Sequence, residues 1–289
     1  MYLVTSADQP DLGADDQLLY QALSRAGVPT RIAVWTDPTV DWTAAGACVL
    51  RSVWDYHLHI ERFRSWVAHV AEVTTLINPA ELVLWNTHKG YLHELADRGI
   101  PIIDTVWLSQ GAKVDLGEIL ARRGWRHAII KPAVSASAWK TTKTQPGDPE
   151  GQRFVDGLLT HTDVMVQPYL DTIEREGEIA VVAINGKLTH AARRASALVG
   201  DIEVTRHGTE YRLRADEESL ATEVLSLLPA TPFYARVDIV RDHRGRALLG
   251  ELELIEPVLY LRHGAEALDR LVTELATYPS AAAPHGRKL

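Results

Sequence analysis

The sequence is poor in cysteine and carries no excess of basic charge. Its single cysteine, Cys48, cannot form a disulfide within the chain and lies in the apolar run 47–50. We therefore predict a small buried core residue there rather than a catalytic thiol. Lys and Arg number 30 against 38 Asp and Glu, for a net charge of −8, and no basic run stands out. This balance argues against nucleic acid as a partner.

Long apolar stretches are also lacking. No window approaches the roughly 18 consecutive apolar residues that span a bilayer, and the N-terminus has no basic segment followed by an apolar one. The sequence thus predicts a cytoplasmic protein without a membrane partner. The 12 histidines show no metal-ligand spacing beyond His57-x-His59, which disfavours a zinc site. Ser6 and His190 could act as nucleophile and base, but no Gly-x-Ser-x-Gly turn is present, which disfavours a hydrolase.

The first part of the chain alternates short apolar strands with amphipathic helices. Overall, 46% hydrophobic residues are enough to fill the cores of one large or two to three small domains. Strands that alternate with helices imply a parallel sheet covered on both faces. The predicted elements of this doubly wound α/β domain are strands at 2–6, 30–35, 47–50 and 75–77 and helices at 16–26 and around 63–70.

The rest of the chain predicts a central α/β subdomain followed by an antiparallel one. The central elements are helices ending at Gly99 and Gly124, strands at 100–103 and 128–132, and a mobile loop over 133–149. The later elements are strands at 164–166, 179–184, 187–192, 234–240 and 247–255, and helices at 217–228 and 263–277. The predicted domains are therefore 1–84, 85–166 and 167–280, with a disordered tail at 281–289.

A cluster of acids is predicted on the last long hairpin. Strand alternation places Arg236 and Asp238 on one face of the first strand, and Glu251 and Glu253 on one face of the returning strand. Converging carboxylates are costly without a cation, and an all-oxygen cluster suits Mg²⁺ that bridges nucleotide phosphates. The alternative is the solvated face of an amphipathic hairpin. Arg236 favours the site, because a developing phosphoryl charge requires a nearby guanidinium.

Two lysines are candidate phosphate ligands. Lys131 ends an apolar strand and precedes a loop of small residues that includes Ser135 and Ser137. Such a loop can close its amides and hydroxyls over phosphate oxygens. The alternative for Lys131 is a strand-end side chain that extends to solvent. Lys89, just before a predicted helix, is a second and weaker candidate.

These residues together resemble a known superfamily. The motifs that carry the resemblance are Asn86-x-x-Lys89, Ile130-Lys131-Pro132, Val166-Gln167-Pro168-Tyr169-Leu170, Ala235-Arg236-Val237-Asp238 and Glu251-x-Glu253-x-x-x-Pro257. In this order they resemble the ATP-grasp superfamily across nearly the whole chain, and within it the glutathione synthetase and ribosomal-S6 modification ligase branch. The segment 51–56 and the Glu-Pro ending further resemble a bacterial group that includes the O-ureidoserine cyclo-ligase of cycloserine biosynthesis.

The resemblance implies an ATP-grasp fold and a role for each matching residue. Lys89 and Lys131 would hold the ATP phosphates, and the loop with Ser135 and Ser137 would fold over them. The adenine and ribose would contact Gln167, Tyr169, Leu170 and Glu178. Two Mg²⁺ ions, with Mn²⁺ as an alternative, would be held by Asp238, Glu251 and Glu253. Arg236, together with Lys131, would stabilise the transferring phosphoryl group.

The resemblance also indicates a substrate region. Its predicted members are Arg51, Trp54, Asp55, Tyr56 and Arg194. For Trp54 and Asp55 the alternative is a core tryptophan followed by a helix cap. The chain departs from the family pattern at three places that bear on the acyl substrate, namely Glu203, Gly208 and Val258. Glu253 also stands where Asn is common.

The predicted reaction is an ADP-forming ligation of a small carboxylate with a nitrogen nucleophile through an acyl phosphate. The nucleophile could belong to the same molecule, as in a cyclo-ligase of antibiotic biosynthesis, or to a second molecule. A nucleotide-binding regulator without turnover and a carboxylate kinase are the competing functions. Relatives of this kind are frequently dimers or tetramers, so a homo-oligomer is expected.

Overall fold

The computed structural model describes residues 1–195 and 207–278. Its first sheet has the strand order β2-β1-β3-β4, and every pairing is parallel. The elements are β1 (Tyr2–Thr5), α1 (Ala14–Arg25), β2 (Arg31–Val34), β3 (Ala47–Ser52), α2 (Ile60–Val73) and β4 (Thr75–Ile77), with short 3-10 helices at Trp42–Ala44 and Tyr56–His59. The predicted α/β domain is therefore confirmed.

Burial explains why these segments form the first sheet. The strands β1 and β3 are buried over their whole length, as expected for central strands with helices on both faces. The helix α2 buries Phe63, Val67 and Val70, which recur at helical spacing on one face. Cys48 lies in the core of this sheet, fully buried, as predicted from its apolar neighbours.

The second sheet is antiparallel, with the order β5-β8-β6-β7. Its elements follow α3 (Ala80–Asn86) and α4 (Tyr91–Asp97), and they are β5 (Val106–Leu108), α5 (Leu116–Arg123), β6 (Ala128–Pro132), β7 (Thr142–Thr144), α6 (Pro149–Leu159) and β8 (Val164–Pro168). Helix α5 begins at the Asp115 cap, whose side chain accepts from the Glu118 amide. It ends at Gly124, which has a φ of +67° that favours glycine.

Two predictions in this region are wrong. Residues 100–103 form no sheet strand. They pair with the hairpin at one isolated bridge, between Ile102 and Leu249, and Pro101 has no amide to donate to a longer ladder. The predicted mobile loop 133–149 instead contains β7. The helix α6, which was not predicted, starts at its end, with an Asp148 cap and Pro149 in its first turn.

The third sheet is antiparallel and has five strands in the order β11-β10-β9-β12-β13. The elements are α7 (Asp171–Glu176), β9 (Glu178–Ile184), β10 (Lys187–Arg194), β11 (Thr209–Tyr211), α8 (Ala215–Ser226), β12 (Tyr234–Arg241), β13 (Ala247–Glu253), a 3-10 helix at Leu261–His263 and α9 (Ala265–Ala276). Both predicted hairpins are confirmed, including the turn at Asn185 and Gly186.

Buried polar side chains join the first sheet to the third. The Asn78 amide donates to the carbonyls of Tyr234 and Leu254, both at 2.8 Å, and its oxygen accepts from the Phe233 amide. The Tyr234 hydroxyl lies 2.9 Å from the Leu50 carbonyl. These bonds fix the end of the β12–β13 hairpin against the first domain.

The predicted domain division remains a prediction, and its boundary at 166/167 falls inside β8. The tail at 281–289 and Glu203 lie outside the described residues. Among the helices of the described ranges, none combines the length and apolarity needed to cross a membrane.

Candidate active site

A cavity of about 210 Å³ opens between the three sheets. The first domain contributes Trp54 and Tyr56 to its wall, the second sheet contributes Lys131 and Gln167, and the third contributes Glu251 among others. A concave site with polar groups converging from several elements is the usual form of a ligand pocket. The cavity is therefore the candidate active site.

The acid cluster forms as predicted from strand alternation. In the β12–β13 pairing, Arg236 lies opposite Glu253, and Asp238 lies opposite Glu251. One carboxylate oxygen each of Asp238, Glu251 and Glu253 lies within 4.8 Å of the others. The two glutamates line the cavity, whereas Asp238 is only 1% exposed and lies behind them.

Three cationic side chains hold these acids. The Arg236 guanidinium donates to both oxygens of Asp238, at 2.8 and 2.9 Å, and also contacts Glu253. Arg194 donates to Asp238 at 2.7 Å, and Lys89 lies 2.9 Å from Glu251. Ion pairing of this kind offsets the cost of burying several like charges together.

The pKa values of the acids differ with their partners. Burial works to raise the pKa of Asp238, but the guanidiniums of Arg194 and Arg236 outweigh it and lower the pKa below its ordinary value. Burial, with Asp238 and Glu251 nearby, raises the pKa of Glu253 to about 7. Carboxylates whose environments separate their pKa values are typical of functional sites.

The lysines and the loop after β6 line the same cavity. Burial lowers the pKa of Lys131 because it disfavours the charged ammonium form. An anion bound nearby would favour that charged form again. The Lys89 ammonium donates to the Ser135 carbonyl at 2.6 Å and so ties the loop to the acid cluster. Ser135 is buried, and Ser137 has a φ of +50° in the turn that follows.

The segment after β8 forms the opposite wall of the cavity. Gln167, Tyr169, Leu170 and Glu178 all line it. The Gln167 amide donates to the Thr105 hydroxyl at 2.9 Å, which fixes the side chain. Glu178 is paired with Arg194 at 2.6 Å, so Arg194 bridges this wall and the acid cluster.

The structure separates the predicted substrate residues into two sets. Trp54, Tyr56 and Arg194 line the cavity. Arg51 does not line the cavity: it is 0% exposed and pairs with Asp16 at 2.7 Å. Asp55 also stands apart from the cavity and accepts from the Trp35 indole at 2.7 Å; it makes no cap bond to the 3-10 helix.

Sequence reasoning missed two other groups in the wall. Asn86 was part of a motif but had no predicted role. Its side chain exchanges hydrogen bonds of 2.8 Å with the backbone of Leu252 and Leu254 and so positions β13. Glu256 lines the cavity and is 7% exposed. It follows the end of the strand, where side-chain alternation no longer predicts direction. A Glu-Pro pair just beyond two alternating glutamates was the available signal.

This architecture is that of the ATP-grasp fold. The structure of the ATP-grasp ligase PsnB complexed with minimal precursor, Mg and ADP superposes with a TM-score of 0.62 at 17% identity, covering 94% of this chain and 97% of that one. The predicted fold class is therefore confirmed.

A second comparison is closer in sequence. A family model described as the N-terminal domain of D-cycloserine synthetase DcsG matches residues 1–78. The cycloserine biosynthesis protein DcsG of Streptomyces lavendulae is 29% identical over 289 residues, covering 95% of this chain and 97% of that protein. The crystal structure of D-cycloserine synthetase DcsG superposes with a TM-score of 0.85 at 29% identity, covering 95% and 98%. The chain thus has the ATP-grasp fold and is similar to DcsG over 95% of its length.

Proposed function

We propose that this enzyme uses ATP and Mg²⁺ to join a small carboxylate to a nitrogen nucleophile through an acyl phosphate, with release of ADP and phosphate. One observation carries the proposal. A single cavity brings together two lysines, an acid cluster and Arg236, and it also reaches the aromatic residues Trp54 and Tyr56 of the first domain. Nucleotide binding alone does not require this combination.

ATP would lie between the second and third sheets. Lys89 and Lys131 would hold its phosphates, and the loop with Ser135 and Ser137 would cover them. Gln167, Tyr169 and Leu170 would form the adenine wall, and Glu178 would hydrogen-bond the ribose. All eight residues line the cavity, which supports this placement.

The acid cluster fits Mg²⁺ by its donor chemistry, because hard divalent ions prefer carboxylate oxygens. Glu251 and Glu253 face the cavity, while the oxygens of Asp238 are held by two arginines. We therefore assign the two glutamates as the principal ligands and Asp238 as the buried third ligand, for two ions. When bound, the metal neutralises phosphate charge as the phosphoryl group transfers.

The protein groups then act mainly by position and charge. The substrate carboxylate attacks the γ-phosphorus, and the Arg236 guanidinium stabilises the charge that develops on the transferring oxygens. No protein nucleophile is required, because the acyl phosphate is reactive enough for a nitrogen to displace phosphate. The Arg194 side chain, which bridges Glu178 and Asp238, would face the acyl group.

The substrate class follows from the cavity and from the similarity to DcsG. The cavity extends from the lysines that would hold the phosphates to Trp54 and Tyr56, which gives an acyl substrate a place beside the phosphates. We propose ring closure of a ureido amino acid of the O-ureidoserine type, as in cycloserine formation. The competing proposals are intermolecular amide formation and a nucleotide-binding regulator without turnover.

The test measures ADP and phosphate release from ATP and Mg²⁺ with a panel of small amino acids and ureido amino acids. Asp238→Asn and Glu251→Gln are the test variants, and Asp269→Asn, on the exposed face of α9, is the matched control. The proposal expects release that one acid stimulates, that the test variants lose, and that Asp269→Asn retains. Tight ATP binding with no stimulation by any acid would favour the regulator.

Mass spectrometry of the products separates the two ligation modes. Ring closure gives a product lighter than the acid, whereas intermolecular ligation gives an adduct of two molecules. Only adducts would contradict ring closure. Oligomeric state is a separate proposal, and light scattering is expected to give a dimer or tetramer.

A further inference from the structure

Glu256 is a buried acid whose carboxyl has no partner among the residues that the structure describes. It lines the central cavity and is 7% exposed. Within residues 1–195 and 207–278 its carboxyl oxygens make no hydrogen bond or ion pair. Burial, with Glu253 nearby, raises the pKa of Glu256 well above its usual value.

The neighbouring acids of the cavity differ from Glu256 in this respect. Glu178 pairs with Arg194, Glu251 with Lys89, and Glu253 with Arg236. A buried polar group that lacks a partner costs free energy, and native structures contain few of them. The Glu256 carboxyl opens onto the cavity, so it is available to a partner that enters there.

The backbone around Glu256 is held in place. Its carbonyl accepts from the Trp54 indole at 3.3 Å, and the next carbonyl, that of Pro257, accepts from Arg51 at 2.7 Å. The Ile255 carbonyl lies 3.1 Å from the Tyr234 hydroxyl. Because three side chains fix consecutive carbonyls, the backbone of residues 255–257 cannot move away from the cavity without breaking these bonds.

Glu256 does not belong to the acid cluster. The described carboxylates whose oxygens lie within 4.8 Å of one another are Asp238, Glu251 and Glu253. Glu256 instead lies beside Trp54 and near Tyr56, on the wall that the first domain contributes. Its partner is therefore expected on the acyl-substrate side of the phosphates.

We propose that Glu256 is a substrate-contacting residue that accepts a hydrogen bond from the N–H of the attacking nitrogen and so directs that nitrogen to the acyl phosphate. This inference rests on the proposed ligase function and adds the residue that selects the nucleophile. It holds for either protonation state, because a carboxyl group keeps an acceptor oxygen in both.

The step that Glu256 would assist is balanced without a further reactant. The nitrogen forms a bond to the acyl carbon, and the bond from that carbon to the phosphate oxygen breaks. Inorganic phosphate leaves with the electron pair, and the proton of the nitrogen passes to it. Glu256 contributes orientation, and misplacing a reacting atom by about 1 Å can cost on the order of 100-fold in rate.

The experiment separates the two half-reactions with hydroxylamine, which traps an acyl phosphate as a hydroxamate. O-Ureidoserine, ATP and Mg²⁺ are incubated with and without hydroxylamine, and hydroxamate and cyclic product are both measured. The variants are Glu256→Leu, which removes the acceptor, and Glu256→Gln, which keeps a carbonyl acceptor. Glu266→Leu, exposed on α9, is the control.

We expect Glu256→Leu to lower cyclic product about 100-fold while hydroxamate stays within about threefold of the wild type. Glu256→Gln should recover at least about tenfold of that loss. Parallel loss of both products, no loss of either, or a Gln variant as poor as Leu would each overturn the inference alone. Wild-type enzyme that forms no hydroxamate and shows no carboxylate-stimulated ADP release would instead overturn the proposed function.

Discussion

Two groups of buried charge in this protein look alike in composition but differ in surroundings. The cavity cluster consists of Lys89, Arg194, Arg236, Asp238, Glu251 and Glu253, and five of its six members line the cavity. The junction cluster consists of Asp15, Asp16, Arg51 and Ser52, where the first domain meets the segment after β13.

The partners explain the difference between the two groups. In the junction cluster, Arg51 binds Asp16 and the Pro257 carbonyl, and Asp15 accepts from the amides of Leu259 and Leu261 at 3.0 and 2.7 Å. These bonds hold chain segments together. The cavity cluster keeps two glutamates at a surface that a ligand can reach. Burial and pairing thus do not separate the two groups, whereas access to the cavity does.

The largest expected effect is on stability at the junction. Arg51→Met leaves Asp16 buried and without its cation, which should lower the free energy of unfolding by about 3–5 kcal/mol. Denaturant unfolding measures this. ADP release per folded molecule should stay within about twofold of the wild type, because Arg51 does not line the cavity.

The double variant Arg51→Met with Asp16→Leu provides the control for this prediction. Removing both charges should recover part of the loss, since no unpaired ion is left behind. If Arg51→Met were as stable as the wild type but inactive, Arg51 would belong with the substrate residues and the comparison would fail.

Arg51 also shows what the sequence could and could not predict about the site. The acid cluster followed from strand alternation, a local property, and β12 and β13 pair as that required. Whether Arg51 faces the cavity or the core depends on how the first sheet meets residues 254–259, which are about 200 positions away along the chain. The segment 51–56 therefore divides, with Trp54 and Tyr56 at the cavity and Arg51 behind it.

The fold errors have the same physical origin. Strands with a hydrophobic period and helices with clear stop signals, such as Gly124, were predicted within a few residues. The apolar run 100–103 failed because it pairs through a single bridge. The strand β7 carries almost no apolar signal, being Thr142–Thr144, and forms because β6 offers it an edge.

The next effect concerns activity at the cavity cluster. Arg236→Lys keeps the charge but loses the bidentate hydrogen bonds to Asp238. The cation at residue 236 should then be held less well beside the transferring phosphoryl group. Removal of one such stabilising donor typically costs about 10²–10³-fold in rate. Carboxylate-stimulated ADP release measures the loss.

Arg241→Lys is the matched control on the same strand. Arg241 also makes a two-pronged contact, with Asp216 at 2.7 and 2.9 Å, but it lies outside the cavity wall. Its variant should retain activity within about threefold. Equal losses in the two variants would indicate that the strand, rather than the site, is being damaged.

A smaller effect is expected at the junction from Tyr234→Phe. The buried hydroxyl lies 2.9 Å from the Leu50 carbonyl and 3.1 Å from those of Ile77 and Ile255. Its removal leaves buried acceptors without a donor and should cost about 1–2 kcal/mol of stability, with ADP release unchanged. Tyr20→Phe, at a half-buried site on α1, should change stability by less than about 0.5 kcal/mol. A Tyr234→Phe enzyme that lost ADP release without losing stability would contradict the division into a cavity cluster and a junction cluster.

The smallest effect concerns His57, near the edge of the cavity. It tests whether water reaches the imidazole ring, through the change of stability with pH. Burial is the main cause that lowers the pKa of His57 to about 4, and Lys89 and His59 add to it; its ring also packs edge-on against Trp139, with centroids 5.2 Å apart. The unfolded chain binds a proton near pH 6.5, so between about pH 4 and 6.5 it holds more protons than the folded one. Stability should therefore rise with pH across this window and level off above it. Because the ring is partly exposed, we expect the contribution to be on the order of 0.5–1 kcal/mol rather than the full linkage value.

His57→Phe, which keeps the aromatic contact, should flatten this part of the stability profile measured by urea unfolding from pH 4.5 to 7.5. An unchanged slope would mean that water reaches the ring, and the cavity margin would then resemble the surface more than the junction.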